Sequence, residues 1–345
     1  MVAISNKEKV TRVSCDIDYE ADGKQFGHLS MPYSRDESGG GTLMIPIAVI
    51  KNGSGPSLLF TGGNHGDEYE GPVTLMNLAR ELQPKDIRGR VILLPCMNLP
   101  AVLNATRCSP VDGKNMNRIF PGHRNGTITE VIAHYVSACL LPLVEAVFDL
   151  HAGGKSTFII PSVMMHYLSD PDLMRRTLAA LKAFRAPVSV VIEELDTDGM
   201  FDTVVENQGK VFLCAELGGG GVLTPESLQV ARAGVRNVLV HYGMLDEPPT
   251  TPGWRRWSDS RLVEVPDADH SSSSPHDGLF EPLVEIGDSV RAGQPLARIQ
   301  RPEELDREPT VIAAKVDGIV FTRHAATKVF KGDGVVTIAR PSTRW

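Results

Sequence analysis

The residues with the clearest chemical potential are His65 and Glu68, which lie three positions apart in the glycine-rich stretch 61–72, Thr-Gly-Gly-Asn-His-Gly-Asp-Glu-Tyr-Glu-Gly-Pro. Imidazole nitrogen and carboxylate oxygen are zinc ligands, and a catalytic zinc needs a third protein ligand and an open position. The alternative is an ordinary glycine-rich turn with a solvated His and Glu, because short motifs often match by chance. The pair predicts a metal site if a third ligand exists.

A third ligand is available at His151, which follows the apolar run 144–150. This run reads as a buried strand, so His151 would project from the edge of a sheet. Asp149 stands two residues earlier, and residues two apart on a strand leave the same face. Its carboxylate could hydrogen-bond the outer nitrogen of His151, which fixes the orientation of a ligand imidazole. The alternative is a structural Asp–His pair that caps a strand end.

A further carboxylate, Glu216, ends the apolar run 211–215. A lone carboxylate in such a run is costly unless it has a partner or a task. It could act as a general base that takes a proton from water and later delivers it to a leaving amine. The alternative is a solvated Glu beside the glycines 218–221. Other acidic residues have the pattern of a solvated loop: Glu193, Glu194, Asp196 and Asp198.

The segment 98–122 is long and rich in polar and turn-forming residues. A segment of this length in a compact domain is usually functional or disordered, and its embedded apolar residues indicate that it is packed. Asn117 and Arg118 suit bidentate recognition of a substrate carboxylate. Arg107 could polarise a scissile carbonyl and stabilise the oxyanion. Both arginines could instead be surface residues paired with acids.

The elements that would position these residues alternate between strand and helix. The runs 58–60 and 91–97 read as buried strands that flank a helix ending at Leu82, which predicts a parallel pair with a right-handed crossover. The same alternation continues to residue 242, so we predict one α/β domain over residues 1–250, with strands in 1–50. Further helices are expected over 127–141, from Ser169 or Asp170 to Phe184, and over 225–242; further strands over 13–19, 43–50, 144–150, 188–192 and 211–217.

The composition changes after this domain. The segment 246–253 contains three prolines and cannot continue a helix, so residues 251–277 are expected to be a linker or loop region. From Gly278 the pattern is one of short strands and tight turns, which predicts a small all-β module over residues 278–345.

Size and charge exclude several classes of protein. The chain has 345 residues, of which 42% are hydrophobic and 22% charged, as in ordinary globular proteins. A formal net charge of -7 without a basic cluster argues against nucleic acid as a partner. No apolar run approaches about 18 residues, which argues against a membrane span. We therefore expect a soluble, cytoplasmic protein.

The five cysteines are widely spaced and form no Cys-x-x-Cys motif, which suits free thiols in a reducing compartment. Cys96 and Cys214 lie in apolar runs and are interpreted as core residues. Cys108 lies near the proposed site, but a nucleophilic role for it is not favoured.

Four stretches, taken together and in this order, resemble the zinc-dependent aspartoacylase/succinylglutamate desuccinylase family, which is related to metallocarboxypeptidases. They are residues 63–68 (Gly-Asn-His-Gly-Asp-Glu), 117–122 (Asn-Arg-Ile-Phe-Pro-Gly), 149–151 (Asp-Leu-His) and 216–218 (Glu-Leu-Gly). The resemblance implies a zinc carboxypeptidase-like mixed sheet flanked by helices. It also implies one Zn²⁺ per subunit on His65, Glu68 and His151, Glu216 as the base, and substrate contacts from Arg107, Asn117 and Arg118.

Within this family, residues 31–36, 95–98 and 106–110 resemble the bacterial branch that deacetylates N-α-acetyl-L-2,4-diaminobutyrate. The main expectation is therefore a zinc-dependent amidohydrolase for a small N-acyl amino acid. Three alternatives remain: a desuccinylase or aspartoacylase acting on another acyl amino acid, a metallocarboxypeptidase acting on peptides, and a non-catalytic sensor of acyl amino acids.

The final module resembles a biotinyl/lipoyl-type β-sandwich, most clearly at residues 287–296. A carrier domain of that type presents a modifiable lysine at a hairpin tip. The corresponding turn, residues 301–309, contains no lysine, and Lys315 comes too late. We therefore predict no covalent cofactor, and a role for the module in shaping the active-site mouth or in contacts within a homo-oligomer.

Overall fold

The computed structural model describes residues 11–192, 198–254 and 259–342. Three residues of the predicted acidic loop, Glu193, Glu194 and Asp196, lie outside these ranges. The strands in the described ranges are β1 (Ser14–Cys15), β2 (Gly23–Pro32), β3 (Thr42–Asn52), β4 (Ser57–Gly62), β5 (Gly89–Leu94), β6 (Ala146–His151), β7 (Thr157–Ile159), β8 (Ser162–His166), β9 (Val188–Ile192), β10 (Val211–Glu216), β11 (Arg261–Glu264), β12 (Ser271–Ser273), β13 (Gly278–Pro282), β14 (Ser289–Val290), β15 (Pro295–Gln300), β16 (Thr310–Ala313), β17 (Gly318–His324), β18 (Lys328–Val329) and β19 (Gly334–Pro341).

Six α-helices accompany these strands within the described ranges: α1 (Glu70–Glu81), α2 (Leu99–Asn104), α3 (Ile128–Tyr135), α4 (Pro171–Phe184), α5 (Phe201–Glu206) and α6 (Pro225–His241). Local sequence explains where several of them begin. The Asp170 side chain caps α4 by accepting from two backbone amides, with Pro171 at the first helical position. Thr224 caps α6 in the same way, again ahead of a proline. No helix in the described ranges is long and apolar enough to cross a membrane.

One large mixed sheet organises the fold, as expected for an α/β protein. Its strand order is β1-β2-β3-β5-β4-β6-β10-β8-β9-β11-β19-β17-β14, with β12 beside β19 and β7 beside β17. The pairs β4–β5, β4–β6 and β6–β10 are parallel, so the predicted parallel pair on either side of α1 is confirmed. The consequence for function is that three parallel strands end side by side.

Helices and loops cover both faces of this sheet. One hydrophobic cluster joins α1, α4 and α6 to one face, and a second joins α3, α5 and the N-terminal strands to the other. Fully buried phenylalanines stand in both: Phe60 and Phe148 stack with centroids 5.0 Å apart, and Phe120 stacks on Phe201 at 4.4 Å. Strands β4, β6 and β10 are thus buried on both sides, which explains why they read as continuous apolar runs.

The C-terminal β module is present, but it is joined to the main sheet. The segment 251–277, expected to be a linker or loop, contains β11, which pairs with β9 on one side and β19 on the other. It also contains β12. That expectation missed two strands because both are short and rich in charged or small residues. A second sheet, β16-β15-β13-β18, completes the module around a small core that includes Phe280 and Ile299.

Other differences from the sequence expectations are local. The helix expected over 127–141 is α-helical only to Tyr135, continues as a π-helix over Val136–Leu140, and ends in a 3-10 turn. In the run 13–19 only Ser14–Cys15 is strand, because the chain turns away after Cys15. Strands β7 and β8 and helix α5 were not anticipated. Each is short, and β7 pairs with a strand more than 150 residues away, which local patterning does not reveal.

Candidate metal centre and active site

The proposed site residues converge where three parallel strands end. His65 lies in the loop after β4, His151 is the last residue of β6, and Glu216 is the last residue of β10. His151 and Glu216 are directly paired across β6 and β10, and Gly62 at the end of β4 pairs with Leu150 of β6. Parallel strands end at the same edge of a sheet, which is where α/β proteins place their ligand sites.

The loop that carries His65 and Glu68 is tightly packed, and Gly66 makes this packing feasible. Its amide donates to the Thr106 carbonyl at 2.9 Å, and a Cβ at this position would overlap the backbone of Ala101. A side chain at residue 66 would therefore push the loop away from α2 and break the hydrogen bond to Thr106.

His65, Glu68 and His151 form a compact, buried cluster. Their ligand atoms all lie within 4.8 Å of one another. Nδ1 of His65 lies 2.8 Å from Oε1 of Glu68, and Nδ1 of His151 lies 2.8 Å from Oε2 of the same carboxylate. The two imidazoles thus direct equivalent nitrogens towards one carboxylate, a convergence that suits a single small cation.

The outer nitrogens of both imidazoles are held by neighbouring side chains. Nε2 of His151 lies 2.8 Å from Oδ2 of Asp149, as the sequence predicted, and Nε2 of His65 lies 3.1 Å from Oδ1 of Asn115. Asp149 also accepts from the Thr61 hydroxyl at 2.7 Å and the Asn64 amide at 3.1 Å. Because both outer nitrogens are bonded, the inner nitrogens are fixed in orientation.

The charges of the cluster favour a cation. Burial opposes ionisation of Glu68, but the adjacent His151 and His65 outweigh it and lower the pKa of Glu68 to about 2. Burial likewise opposes charge on His151, yet Asp149 and Glu68 raise its pKa well above the ordinary value. Two buried carboxylates therefore demand positive charge between them. Two imidazoles and one carboxylate are a donor set that zinc uses, so the residues fit a divalent metal ion.

Glu216 faces the same space without a strong partner. Its Oε2 atom is buried and has no hydrogen-bond partner among the described residues. Burial, assisted by the negative charge of Glu68, raises the pKa of Glu216 to about 8. Positive charge at the cluster would favour the ionised form. Glu216 is therefore a half-buried carboxylate whose raised pKa suits proton exchange near neutral pH.

Two arginines lie at the mouth of the site. Nη1 of Arg107 lies 3.3 Å from Nδ1 of His65 and 3.4 Å from Oε1 of Glu68, so its guanidinium borders the cluster. Arg118 donates to the Asn117 carbonyl at 2.7 Å, and its Nη1 lies 2.9 Å from the Met200 sulfur. No carboxylate of the described ranges forms an ion pair with Arg118, which is exposed and lines the cavity.

The site residues predicted from the sequence, except Asp149, line one cavity of about 430 Å³: His65, Glu68, Arg107, Asn117, Arg118, His151 and Glu216. The cavity extends from the cluster along one face of the sheet, where Glu216, Cys214 and Phe212 alternate along β10. Cys214, which was interpreted as a core residue, packs against the hydrophobic core and also forms part of this wall. His166 and Asp202, neither of which the sequence analysis singled out, also lie in the lining. Neither follows a recognisable motif, although His166 ends a strand as His151 does.

The C-terminal module packs against the segment 156–159, which forms another wall of the cavity. Ser156, Thr157 and Ile159 line it, and β7, which contains the last two, pairs with β17 of the module. The amide of Ala325 donates to the Ser156 carbonyl at 2.8 Å, and the Arg323 guanidinium lies 5.2 Å from the centroid of the Phe158 ring. Module and site are therefore parts of one continuous structure.

Comparisons with known proteins agree with this architecture. Residues 54–242 match the succinylglutamate desuccinylase/aspartoacylase catalytic domain. The N-alpha-acetyl-L-2,4-diaminobutyric acid deacetylase of Halomonas elongata is 43% identical over 333 residues, which cover 96% of each chain. The structure is similar to a succinylglutamate desuccinylase/aspartoacylase from Rhodobacter sphaeroides, with a TM-score of 0.91 and 42% identity over 96% of this chain and 100% of the other.

A second structural relative is the product-bound ectoine utilization protein EutE (DoeB) of Ruegeria pomeroyi. It is 41% identical with a TM-score of 0.91, and the match covers 96% of this chain and 99% of that one. The catalytic-domain match and the near full-length relatives indicate the same family. The chain belongs to the succinylglutamate desuccinylase/aspartoacylase family of deacylating hydrolases.

Proposed function

We propose that this chain is a zinc-dependent deacetylase that hydrolyses N-α-acetyl-L-2,4-diaminobutyrate to acetate and L-2,4-diaminobutyrate. The observation that carries the proposal is the convergence of the His65–Glu68–His151 cluster, Glu216 and two arginines on one cavity. The choice of substrate is supported by the Halomonas elongata deacetylase, to which the chain is similar along almost its whole length.

His65, Glu68 and His151 would hold the zinc ion. When bound there, zinc supplies Lewis-acid chemistry that activates water and polarises a carbonyl. Asp149 would keep the His151 ring in place through its hydrogen bond to Nε2. A donor set of two histidines and one glutamate is typical of zinc hydrolases, which favours zinc over other divalent ions.

Glu216 would act as the general base and then as the general acid. Its carboxylate would accept a proton from the attacking water as the new C–O bond forms at the acetyl carbon. It would then return that proton to the amide nitrogen as the C–N bond breaks, so that the amine leaves neutral. A pKa near neutrality suits a group that must both take and give a proton.

The two arginines would have separate roles. Arg107 borders the cluster, where it would donate hydrogen bonds to the carbonyl oxygen as negative charge develops there. Arg118, with Asn117 beside it, would bind the α-carboxylate of the substrate. The Asn117 side chain is held in place by a hydrogen bond, because its Oδ1 accepts from the Phe201 amide at 3.1 Å.

The C-terminal module would be a biotinyl/lipoyl-like sandwich that has no carrier function and supports the wall at residues 156–159. The absence of lysine from the turn between β15 and β16 supports this proposal. We further propose a cytoplasmic location, since five widely spaced cysteines suit a reducing compartment. A small-molecule substrate, rather than nucleic acid or membrane, fits the net charge of -7.

Hydrolysis of a panel of N-acyl amino acids tests the proposal. Zinc-loaded protein should release acetate from N-α-acetyl-L-2,4-diaminobutyrate faster than it cleaves N-acetylaspartate or N-succinylglutamate, and chelated protein should be inactive. Preference for another member of the panel would refute the substrate, and full activity after metal removal would refute the metal dependence.

A further inference from the structure

One buried carboxylate in the cavity has no role in the chemistry described above. Among the described residues that line the cavity, the carboxylates are Glu68, Glu216 and Asp202. Glu68 belongs to the cluster and Glu216 is the proposed base. Asp202 lies at the start of α5 and is only 8% exposed. A carboxylate in such a position is costly unless it interacts with positive charge or with hydrogen-bond donors.

The contacts of Asp202 hold its carboxylate in place. Its Oδ1 accepts from the Thr203 amide at 2.6 Å and from the Thr203 hydroxyl at 3.2 Å. Its Oδ2 lies 4.0 Å from Nε2 of His166, beyond hydrogen-bond distance. Oδ1 therefore anchors the Asp202 carboxylate to its own helix, while Oδ2 lies beside His166 in the cavity lining.

Asp202 and Arg118 are presented to the cavity by one packed unit. The loop before α5 lies on the segment that carries Arg118: Phe120 donates to the Gly199 carbonyl at 3.0 Å, and Asn117 accepts from the Phe201 amide at 3.1 Å. A Cβ on Gly199 would overlap the Arg118 backbone, so this close approach needs a glycine. The Arg118 guanidinium and the Asp202 carboxylate are therefore held by the same packed segments, and both line the cavity.

The wall around these charges is largely apolar. Met164, Ile192, Met200 and Phe212 line it together with Cys214. Apolar surroundings suit the short aliphatic stem of a substrate and strengthen an ion pair by lowering the local dielectric constant. The cavity thus combines an anion-binding group, an apolar wall and a cation-binding group.

We propose that Asp202 is the specificity-determining residue that binds the side-chain ammonium group of the substrate, while Arg118 binds its α-carboxylate. The inference rests on the proposed function, because it assigns a residue to the substrate of that reaction. It also supplies a reason for rejecting acyl derivatives of acidic amino acids, since their side-chain carboxylates would face Asp202 with like charge.

The test uses the variant Asp202→Asn, which removes the charge and keeps an oxygen that can accept from Thr203. Asp198→Asn, at an exposed residue in the same loop outside the cavity lining, is the matched control. The substrates are N-α-acetyl-L-2,4-diaminobutyrate and N-α-acetyl-L-norvaline, in which a methyl group replaces the ammonium. Binding of free L-2,4-diaminobutyrate and L-norvaline is measured by calorimetry on the same proteins.

The expected result is a charge-selective loss. Asp202→Asn should raise the KM for the cationic substrate and weaken binding of L-2,4-diaminobutyrate by about 10- to 100-fold, the usual range for a hydrogen bond to a charged group. Values for the norvaline compounds should change by less than about 3-fold, within the scatter of ordinary surface substitutions. Asp198→Asn should resemble the wild type with all four compounds.

Two other outcomes separate this inference from the proposed function. If wild-type protein hydrolyses the diaminobutyrate and norvaline derivatives equally well, or if Asp202→Asn weakens both equally, the assignment of Asp202 is refuted and the deacetylase stands. If no acyl compound is hydrolysed but L-2,4-diaminobutyrate still binds in an Asp202-dependent manner, the cation subsite stands and the deacetylase is refuted.

Discussion

The two ends of the cavity are held in place in different ways. At the cluster end, ring nitrogens of His65 and His151 are bonded to side chains that are themselves bonded, as Asp149 is to Thr61 and Asn64. At the Asp202 end, position comes mainly from packing of the loop before α5 on the segment that carries Arg118. Hydrogen-bonded networks hold reactive side chains in one orientation. Loops that are held by packing tolerate substitution while the network stays intact.

The largest effect is expected from Glu216→Gln, which breaks the chemistry at the cluster end. The variant keeps the size of the side chain and loses the ability to take a proton. Turnover should fall by about 10²- to 10⁴-fold, the usual contribution of a general base. The bound metal, measured by elemental analysis, should remain. Near-normal turnover would remove Glu216 from the mechanism.

Asp149→Asn should weaken the cluster without touching the metal ligands. The substitution removes the charge that stabilises the His151 ring through Nε2. Loss of such a supporting partner typically costs about 10- to 100-fold in metal affinity. Competition with a coloured chelator measures this affinity, and Asp198→Asn provides the reference. Unchanged affinity would mean that Asp149 has a purely structural role.

Arg118→Ala should affect the other end of the cavity and leave the metal in place. Removing the guanidinium should raise KM by about 10- to 100-fold for substrates with a free α-carboxylate. The corresponding carboxamides should be hydrolysed at the same rate by variant and wild type. Equal losses for acids and amides would contradict the role of Arg118 as a carboxylate clamp.

The smallest effect is expected outside the cavity, at the cap of α4. Asp170→Ala removes a side chain that accepts from the Asp172 and Leu173 amides, which should destabilise the fold by about 1 kcal/mol. Urea unfolding measures the change, and kcat/KM should be unaltered. Asp172→Ala breaks only exposed ion pairs with Arg175 and Arg176 and should cost less. A larger loss in the second variant would contradict the assignment of the cap.

The sequence was most informative where function requires fixed residue types at strand ends. His65, Glu68, His151 and Glu216 were all predicted to converge, and the structure places them together because β4, β6 and β10 are parallel neighbours. Asp149 was predicted from strand periodicity alone. For each of these residues a local pattern, either a motif or the alternation of side chains along a strand, specifies where its side chain projects.

Residues that depend on distant contacts were not predictable in this way. Asn115 and Asp202 lie on irregular or short elements, and the imidazoles beside them, of His65 and His166, are far away in the chain, so no periodicity reveals them. The same reason explains β11, a four-residue strand with two charged residues that exists because β9 and β19 flank it. For such segments, tertiary pairing rather than intrinsic propensity decides the structure.

The pairing of β7 with β17 has a consequence for how this protein can change over evolution. The C-terminal module and one wall of the cavity are joined through this strand pair, so we expect that neither part can be lost or exchanged without affecting the other. We expect that a chain ending after α6 would lose the support of residues 156–159 and expose apolar surface at Ile160, Val188 and Val190. Substitutions in the C-terminal module would then change the kinetics of the enzyme, so the two parts would have to evolve together.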